Sequence, residues 1–385
     1  MKTATLGEIA DWGSGGTPKR GVAEYFGEGT PWLSIADLND GVVTSAKESL
    51  TPAGIQNSSA KIVPPGTLFV AMYGSIGKLG IAGSEMATSQ AIAFAKPKDD
   101  LVDRRFLFHF LLTERPMLQA LGRGGTQMNI GQADLKRWPI SLPSLSEQRR
   151  IAAILDHADA LRTKRRQVLA HLDVLTQSIF NDMFEGAIKG AERVQLQSLA
   201  ALITKGTTPT SVGLQFTSQG VPFVRVQNLQ QGTVRFDSGA LFISAEAHKT
   251  LRRSIIRPED LLISIAGTIG RIAIVPRDAA EMNCNQAVAI VRPADPAMGP
   301  WLMAWLTSRD AKGQIGSSAV TATIANLSLG QIGRLDVPVV GVAATQQFAR
   351  RSDAVNAQRT AVLAAERADD ELFASLQSRA FRGEL

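Results

Sequence analysis

The sequence has few of the residues from which covalent or metal-based sites are built. Of its 385 residues, one is cysteine and four are histidine. The single thiol, Cys284, cannot form an internal disulfide, and structural zinc sites normally take four Cys or His ligands. The histidines, moreover, are scattered along the chain, at His109, His157, His171 and His248. The sequence therefore predicts neither an internal disulfide nor a metal site.

Long hydrophobic runs are also absent. No stretch of eighteen apolar residues occurs, and residues 1–30 lack the continuous apolar core of a signal peptide. Hydrophobic residues nevertheless make up 44% of the chain, which is sufficient to fill more than one core. We expect a soluble cytoplasmic protein with at least two globular domains.

Motifs of the common nucleic-acid enzymes are missing as well. A base-flipping methyltransferase would need an Asn/Asp-Pro-Pro-aromatic stretch, and the "VPPG" of residues 63–66 does not fit that pattern. A nuclease or helicase would need a carboxylate cluster or a P-loop, and the spacing Gly-x-x-x-x-Gly-Lys-Ser/Thr does not occur. The sequence therefore predicts a protein that is not an enzyme.

The chain does contain an internal repeat that runs along its whole length. The copies lie 191 to 196 residues apart, and three pairs of segments carry the match: "GTPWLSIADLNDG" (29–41) with "GVPFVRVQNLQQG" (220–232), "AMYGSIGKLGIA" (71–82) with "SIAGTIGRIAIV" (264–275), and "SQAIAFAKP" (89–97) with "NQAVAIVRP" (285–293). Solenoids and propellers repeat every ~20–50 residues. The longer period indicates a duplicated domain together with its connector.

Each copy combines two kinds of sequence. Residues 1–143 and 187–340 contain many Gly and Pro residues and short apolar runs such as "TLFVAMY" and "DLLISIA". These runs are typical of strands, and "RRFLFHFLLTE" and "PWLMAWLTS" are typical of helices. We therefore predict two globular domains of mixed α/β (α+β) class at 1–143 and 187–340. Residues 144–186 and 341–385 are predicted to be long helices.

The first predicted helix has an amphipathic stripe and signals at both ends. Ser144 and Glu147 fit a capping box, and Gly186 predicts the end of the helix. Arg165 occupies one position of the stripe. The other positions are Ile151, Ile154, Ala158, Leu161, Val168, Leu172, Leu175 and Ile179.

The second predicted helix ends at Gly383 and has a poorer stripe, which Gln358 and Asp369 interrupt. Its apolar positions are Phe348, Val355, Val362, Leu372 and Leu376. Because a lone helix of this length would leave its apolar stripe in water, we expect the two helices to pair antiparallel. The expected architecture is two domains separated by a helix pair, with an internal pseudo-two-fold axis.

The excess of basic residues is confined to the predicted domains. The chain has 41 Lys and Arg against 35 Asp and Glu, a net charge of +6. Residues 147–185 and 345–385 each contain six basic and six acidic residues. The domains therefore carry the whole excess, and a polyanion is expected to bind there.

This arrangement resembles the DNA-specificity subunit of Type I restriction-modification enzymes. The resemblance lies in the two-fold repeat, in "LPSLSEQRRIAAILDHAD" at the start of the first helix and in "SRAFRGEL" at the end of the second. One departure is that the second helix begins "VPVVGVAATQQFARR", without the Ser-Glu-Gln sequence. The resemblance implies that each domain is a target-recognition domain for one half of a split site in double-stranded DNA.

The same resemblance implies the partners of the chain. The helices would set the distance between the half-sites and bind methyltransferase subunits, and restriction/translocase subunits would complete the complex. S-adenosylmethionine would be bound by the methyltransferase partner, and no cofactor is expected in this chain.

Two explanations remain open for the repeated Gly-x-Ile-Gly-basic turns, 74–78 and 267–271. Glycines in a hairpin are commonly required by the backbone angles alone. Alternatively, the turns let backbone N–H groups approach a DNA phosphate, which Lys78 or Arg271 then neutralises.

Other candidates for DNA contact lie in polar loops and after one strand of each copy. Lys19, Arg20 and Lys205 are candidates for phosphate contacts. Gln127 and Asn129 suit adenine, and Arg123 suits guanine or phosphate. Ser34 and Asp37 are matched by Arg225 and Asn228, a difference that two unlike half-sites would require. Thr321 and Thr323, in the loop before the second helix, complete the candidate set.

Several other residues of the domains are expected to be structural. Gln90 and Gln286 are the same in both copies, and Trp32, Trp138, Trp301 and Trp305 are expected in the cores. The alternative function is a duplicated adaptor that binds partner helices without DNA.

Overall fold

The computed structural model describes residues 2–124, 128–236, 239–319 and 326–385. Its contacts divide the chain into two compact units. Unit 1 comprises residues 1–165 and 365–385, and unit 2 comprises residues 166–364. Both units combine strands and helices, so the predicted mixed α/β class is confirmed.

Unit 1 contains eleven strands and four short helices within its described residues. The strands are β1 (Lys2–Thr5), β2 (Ala10–Ser14), β3 (Phe26–Leu33), β4 (Val42–Val43), β5 (Glu48–Leu50), β6 (Ile62–Val63), β7 (Leu68–Ala71), β8 (Leu79–Ala82), β9 (Met86–Thr88), β10 (Ile92–Pro97) and β11 (Pro139–Leu142). The helices are α1 (Leu6–Ile9), α2 (Pro52–Gln56), α3 (Arg104–Ala120) and α4 (Gln132–Arg137). They are followed by the first long helix, α5 (Leu145–Ile188).

Two sheets form the body of unit 1. The strand order is β2-β10-β7-β8-β4 in one and β5-β3-β9-β6 in the other, and β1 pairs with β11. All residues of β7 and β8 are buried, because α3 covers one face of their sheet and the second sheet lies on the other side. This burial explains why their sequences are continuous apolar runs without the alternation of a half-exposed strand.

Unit 2 repeats this plan. Its described strands are β12 (Arg193–Gln195), β13 (Ala200–Lys205), β14 (Phe216–Thr217), β15 (Val221–Val224), β16 (Leu229–Gln230), β17 (Thr233–Val234), β18 (Leu241–Ile243), β19 (Ile255–Ile256), β20 (Leu261–Ser264), β21 (Ile272–Ile274), β22 (Met282–Cys284), β23 (Val288–Pro293) and β24 (Asp336–Pro338). Its described helices are α6 (Ala245–Thr250), α7 (Gly299–Thr307), α8 (Arg309–Ala319) and α9 (Leu329–Gly333), followed by the second long helix, α10 (Val342–Arg382).

The strand orders of the two units correspond. The order β13-β23-β20-β21 in unit 2 matches β2-β10-β7-β8, and the segment β18-β15-β22-β19 matches β5-β3-β9-β6. The pair β12-β24 likewise matches β1-β11. The sequence repeat is therefore a repeat of fold.

The ends of the long helices are only partly as predicted. The Ser144 hydroxyl accepts the N–H of Glu147 at 3.3 Å, but the Glu147 carboxylate pairs with Arg150 at 2.7 Å. In the described part of the chain, no bond from the Ser144 N–H completes the capping box. The prediction that Gly186 ends the first helix is wrong. The helix continues to Ile188, and Gly190 (φ +87°) takes the left-handed conformation beyond it.

Within each unit the two long helices pack antiparallel, as predicted. In unit 1, Arg150 near the start of α5 donates to the carbonyl of Leu385 at 2.8 Å, and Arg162 pairs with Asp370 at 2.6 Å. In unit 2, the Phe180 and Phe184 rings lie 5.8 Å from the ring of Phe348, near the start of α10.

The prediction of which residues are buried between the two long helices (the seam) is partly wrong. Ile151, Ala158, Phe348, Val355 and Val362 are buried as predicted, but four other members of the stripes are exposed: Leu161, Val168, Leu175 and Leu372. In unit 1 the inward position is taken by Arg162, whose guanidinium lies 4.2 Å from the centre of the buried Phe373 ring. The cation–π contact and the ion pair with Asp370 make this charged residue compatible with the seam.

Two of the ion pairs between the long helices are related by the repeat. Arg162 and Arg359 each occupy the eighteenth position of their helices, and Asp173 and Asp370 each occupy the twenty-ninth. Arg162 pairs with Asp370 at 2.6 Å within unit 1, and Arg359 pairs with Asp173 at 2.7 Å within unit 2. Each unit therefore contains the same reciprocal ion pair.

None of the described helices combines the length and the apolar character required to cross a membrane.

Candidate nucleic-acid interface

The turn between β7 and β8 requires its two glycines. Gly74 and Gly77 have φ values of +61° and +76°, which side chains other than glycine rarely adopt. The Gly77 N–H donates to the carbonyl of Ala71 at 2.9 Å, and the Lys78 N–H donates to that of Ser75 at 3.0 Å. The backbone alone therefore explains why the glycines are present.

The turn between β20 and β21 in unit 2 has the same geometry. Gly267 and Gly270 have φ values of +72° and +81°, and the Gly270 N–H donates to the carbonyl of Ser264 at 3.0 Å. The Ser264 hydroxyl, absent from unit 1, accepts the N–H of Arg271 at 2.7 Å.

The basic residues at the ends of the two turns differ in how free their side chains are to bind a phosphate. The Lys78 ammonium is half-buried and donates to the carbonyl of Ile35 at 3.3 Å. The Arg271 side chain is exposed and has no hydrogen bond or ion pair within the described residues. Arg271 is therefore free to meet a phosphate, whereas Lys78 would have to give up or share its contact.

A second loop of unit 1 lies beside the turn of residues 74–78. Arg123 and Asn129 face each other through two backbone hydrogen bonds of 2.9 Å, and the Gly74 N–H donates to the carbonyl of Met128 at 2.9 Å. The structure thus brings Arg123, Asn129 and the turn together. Gln127, at the centre of this loop, lies outside the described residues.

The equivalent loop of unit 2 is followed by the same backbone contact. The Leu327 N–H donates to the carbonyl of Ile265 at 2.9 Å, just as the Ile130 N–H donates to that of Met72 in unit 1. Thr321 and Thr323 precede this contact and also lie outside the described residues.

Two of the phosphate candidates, Lys19 and Arg20, lie on the loop that follows β2. The third, Lys205, is the last residue of β13. Lys19 and Lys205 are exposed, and their ammonium groups have no partner within the described residues. Arg20 pairs with Glu48 at 2.5 Å and lies 4.9 Å from the centres of the Phe26 and Trp32 rings. The hydrogen bond with Glu48 raises the pKa of the Arg20 guanidinium. Arg20 is therefore less available for a phosphate than Lys19.

Asp37 and Asn228 close equivalent turns. The Asp37 carboxylate accepts the N–H and the hydroxyl of Ser34 at 2.8 and 2.6 Å. Burial raises the pKa of this carboxyl, but the hydrogen bonds from Ser34 and Lys47 outweigh burial and lower it. Asn228 is buried, and its side chain accepts the Arg225 N–H at 2.8 Å and donates to the Arg235 carbonyl at 2.9 Å.

The shared role of Asp37 and Asn228 explains one of the differences between the copies. An acceptor is needed three residues after Ser34 and Arg225, and either a carboxylate or an amide supplies it. The pattern Ser-x-x-Asp could have predicted this cap from the sequence. The variable side chains of this turn are therefore Ser34 and Arg225. Arg225 is half-buried, and among the described residues its guanidinium donates to the Gly239 carbonyl at 3.4 Å.

The residues expected to be structural occupy structural positions. The Thr17 hydroxyl binds the amide oxygen of Gln90, and the Thr208 hydroxyl binds that of Gln286. Each glutamine therefore fastens the polar loop of its own unit. Three of the tryptophans, Trp32, Trp301 and Trp305, are buried as predicted, and Trp138 is half-buried against the core of unit 1.

Two residues of α3 that support the turn were not predicted from the sequence. The Arg115 guanidinium donates to the carbonyl of Gly77 at 2.8 Å and pairs with Asp40 at 2.5 Å. Gln119 donates to the carbonyl of Ile76 at 3.2 Å. No local pattern indicates these contacts, because they join residues 38 to 75 positions apart. Their effect is to fix the turn relative to the core.

Comparisons with known proteins show which proteins the chain is similar to. Residues 1–171 match the family described as "Type I restriction modification DNA specificity domain". The EcoBI specificity subunit of Escherichia coli is 24% identical over 392 aligned positions, which cover 93% of this chain and 80% of that protein. The MjaIX specificity subunit of Methanocaldococcus jannaschii is 25% identical over 300, covering 71% of this chain and 68% of that protein.

Solved structures support the fold. The S subunit of a Type I restriction-modification system from M. genitalium superposes with a TM-score of 0.59 at 16% identity, covering 99% of this chain and 96% of that one. A chain from a study of complex assembly in a type I R-M system also gives a TM-score of 0.59, at 18% identity, and covers the whole of this chain. At these identities the likeness concerns the fold.

Proposed function

Since this chain belongs to the DNA-specificity subunits of Type I restriction-modification enzymes, we propose that it recognises a bipartite site in double-stranded DNA and positions the other subunits on it. In this proposal each unit reads one half of the site. The observation that carries the proposal is the pair of turns at 74–78 and 267–271, which have the same backbone in both units but different side chains. Equivalent backbones would approach DNA in the same way, and different side chains would read different bases.

The basic residues of the two turns would contact phosphates. A phosphate contact contributes affinity for any sequence and steepens the dependence of binding on salt, because counterions are released. Lys78→Ala and Arg271→Ala should therefore weaken binding about equally for matched and mismatched DNA, and each should lower the salt slope by about one. The loss should be larger for Arg271, whose guanidinium has no partner within the described residues.

This experiment requires the complex reconstituted with its methyltransferase partner and a titration of DNA at several salt concentrations. Lys61→Ala and Lys249→Ala serve as controls, because both residues are exposed and lie outside the two turns. If the two turn variants keep the affinity and the salt slope of the unaltered protein, the turns are purely structural.

The exposed apolar residues of the long helices would receive the methyltransferase subunits. In unit 2, Val168, Val174 and Leu175 are 43%, 64% and 39% exposed, and in unit 1 Leu161 and Leu372 are also exposed. Apolar residues at heptad-like spacing on a helix suit a partner helix. Co-expression with the neighbouring genes should recover an adenine methyltransferase with this chain, and Val174→Asp should reduce that recovery.

Restriction/translocase subunits would join the same complex, and S-adenosylmethionine would be bound by the methyltransferase partner. The chain alone should accordingly bind DNA weakly and transfer no methyl group. Methyl transfer by the rigorously purified chain would overturn this part of the proposal. Binding of partner proteins with no dependence on DNA, in a complex that does not discriminate between sequences, would instead support an adaptor.

A further inference from the structure

An exposed aromatic side chain lies at the candidate interface of unit 1. Among the described residues, two aromatic side chains are more than a third exposed: Tyr73 at 38% and Phe236 at 37%. Every other described aromatic residue is buried or half-buried. Tyr73 directly precedes Gly74, at the start of the turn between β7 and β8.

The backbone of Tyr73 is held by hydrogen bonds, whereas the residue is 38% exposed. Tyr73 forms an antiparallel bridge with Asn129. Its neighbours are also fixed, because Met72 accepts the N–H of Ile130 and Gly74 donates to Met128, both at 2.9 Å. The phenol hydroxyl has no hydrogen bond within the described residues. A side chain exposed on a fixed backbone is ready for contact and loses little conformational entropy on binding.

The surroundings of Tyr73 suit a nucleic acid. Asn129, directly opposite, has an amide that can pair with a base edge, and Arg123 joins the same loop by two backbone hydrogen bonds. Covering the exposed apolar surface of this ring with another surface is favourable. A phosphate contact alone would need only a hydroxyl group, which Ser or Thr would provide without exposing a ring.

The second copy of the repeat lacks this ring. The equivalent of Tyr73 is Ala266, which precedes Gly267 in the turn between β20 and β21. The backbone of the turn is the same in both units, so the ring is not needed to form it. Tyr73 therefore adds to unit 1 a contact that unit 2 cannot make at this position.

We propose that Tyr73 is a specificity-determining residue, whose ring packs against a base of the half-site read by unit 1. This proposal rests on the proposed function. The ring would contact the apolar edge of a pyrimidine, of which the thymine methyl group is the best match, while Asn129 and Arg123 contact neighbouring polar edges.

The test compares Tyr73→Phe and Tyr73→Ala in the complex reconstituted with the methyltransferase partner. Tyr73→Phe keeps the ring and should retain the affinity for the specific site within about twofold, since the hydroxyl group is not required. Tyr73→Ala should weaken specific binding by about 5- to 150-fold, the range for one base contact, and leave non-specific binding unchanged. Ile62→Ala, which shortens an exposed apolar side chain elsewhere in unit 1, is the matched control and should have no effect.

Two outcomes of this comparison would overturn the inference. Specific binding by Tyr73→Ala equal to that of the unaltered complex would exclude a base contact. Equal losses for Tyr73→Phe and Tyr73→Ala on all DNA would identify a hydroxyl–phosphate contact instead. If the unaltered complex itself does not discriminate between sequences, the proposed function fails first, so the two failures are distinguishable. Thermal unfolding of each variant separates a binding defect from a folding defect.

Photo-crosslinking gives a second measurement that needs no variant. 5-Bromodeoxyuridine is placed in turn at each position of both half-sites, and the crosslinked peptide is identified by mass spectrometry. A crosslink to Tyr73 at one position of a single half-site is the expected result. A crosslink to Tyr73 from both half-sites, or none at any position, would contradict the proposal.

Discussion

At the scale of single residues, the glycines of this chain differ in whether they leave room for a side chain. A Cβ atom added to Gly206 would overlap the carbonyl oxygens of Cys284 and Asn285, and one added to Gly15 would overlap that of Thr88. Since Thr88 and Cys284 end equivalent strands, the same close approach occurs in both units. Gly186, in contrast, lies in the last turn of α5, with no atom within 4 Å of such a Cβ.

We expect Gly206→Ala to lower the free energy of unfolding of unit 2 by about 1–3 kcal/mol, because backbone atoms must move to admit the methyl group. Gly186→Ala should raise the free energy of unfolding by ~0.5–1 kcal/mol, because alanine loses less backbone entropy in a helix. Urea denaturation followed by circular dichroism measures both changes. Equal transition midpoints for the two variants would contradict these assignments.

Asp156 makes the stability of unit 1 sensitive to acid. Its carboxylate binds the buried His109 at 2.7 Å and also binds Arg105. Burial raises the pKa of Asp156, but the hydrogen bonds from His109 and Arg105 outweigh burial and lower it from 3.8 to about 2. A lowered pKa in the folded state means that the stabilisation is complete above the unfolded pKa and is lost as the pH falls toward the folded pKa.

The unfolding temperature of unit 1 should therefore fall as the pH decreases from about 4 to about 2, and Asp156→Asn should remove this part of the pH dependence. Calorimetry across that range is the measurement. The control is Asp353→Asn, since Asp353 occupies the equivalent position of α10 and, within the described residues, forms an exposed pair with Arg277 at 3.3 Å. A pH profile that is the same for Asp156→Asn and the unaltered protein would show that this carboxylate is not the acid-sensitive group.

At the scale of secondary-structure elements, reciprocal ion pairs align α5 and α10. Side-chain exposure is 17% for Arg162 and 14% for Arg359, so both guanidinium groups are better shielded from water than those of typical surface pairs. Their partners, Asp370 and Asp173, lie on the opposite helix. One pair in each unit therefore favours the observed register over a shifted one.

A double-mutant cycle tests this role. Asp370→Arg should destabilise unit 1 by placing a positive charge against Arg162, and the combination with Arg162→Asp should restore part of the loss. We expect a coupling energy of about 0.5–1 kcal/mol that decreases at high salt. The same cycle with Asp173 and Arg359 should give a similar value for unit 2. Strict additivity in both cycles would contradict a role of the pairs in alignment.

The elements that could be predicted from the sequence are those with a local or repeated signal. The long helices follow from runs free of Gly and Pro, and the turns at 74–78 and 267–271 follow from glycines that recur in both copies. The inner face of the helix pair could not be predicted, because Leu161, Val168 and Leu175 form an equally regular stripe that is exposed. The position of Arg162 in the seam depends on Phe373 and Asp370, which are more than 200 residues away.

The residues of the candidate interface likewise fall into those that could be predicted from the sequence and those that could not. Lys78 and Arg271 could be predicted because they recur beside glycines. Arg115 and Gln119 could not, because their support of the turn depends on the packing of α3. Asp37 is a candidate for DNA contact by its position in the sequence, and in the structure its carboxylate closes a turn. A polar side chain used internally and one that faces a ligand have the same signature in a single sequence.

At the scale of the whole molecule, the duplicated fold supplies two versions of the proposed DNA-contacting surface that can change independently. Tyr73 in one unit and Ala266 in the other, like Ser34 and Arg225, alter side chains without altering the turns that carry them. Each surface is fixed to its own core by separate contacts, such as those of Arg115 in unit 1. A change in one half of the proposed site therefore need not disturb recognition of the other half.

The length of the long helices should set the spacing between the proposed half-sites. α5 and α10 contain 44 and 41 residues. At 1.5 Å per residue, four added residues lengthen a helix by ~6 Å, which corresponds to about one or two base pairs at 3.4 Å each. Because the helices are paired, an insertion in one alone could be absorbed as a local bulge, and matched insertions after Arg165 and after Leu363 are needed.

The measurement is the methylated sequence of the reconstituted enzyme before and after the matched insertions. The two half-sites should stay the same and the unread spacer should grow by one or two base pairs. Replacing four residues at each position with the same helix-forming sequence, without a change in length, controls for altered composition and should leave the spacer unchanged. If the bases of the half-sites change while the spacer stays fixed, the helices do not set the spacing, since added helix length acts on distance and leaves the residues that contact bases unaltered.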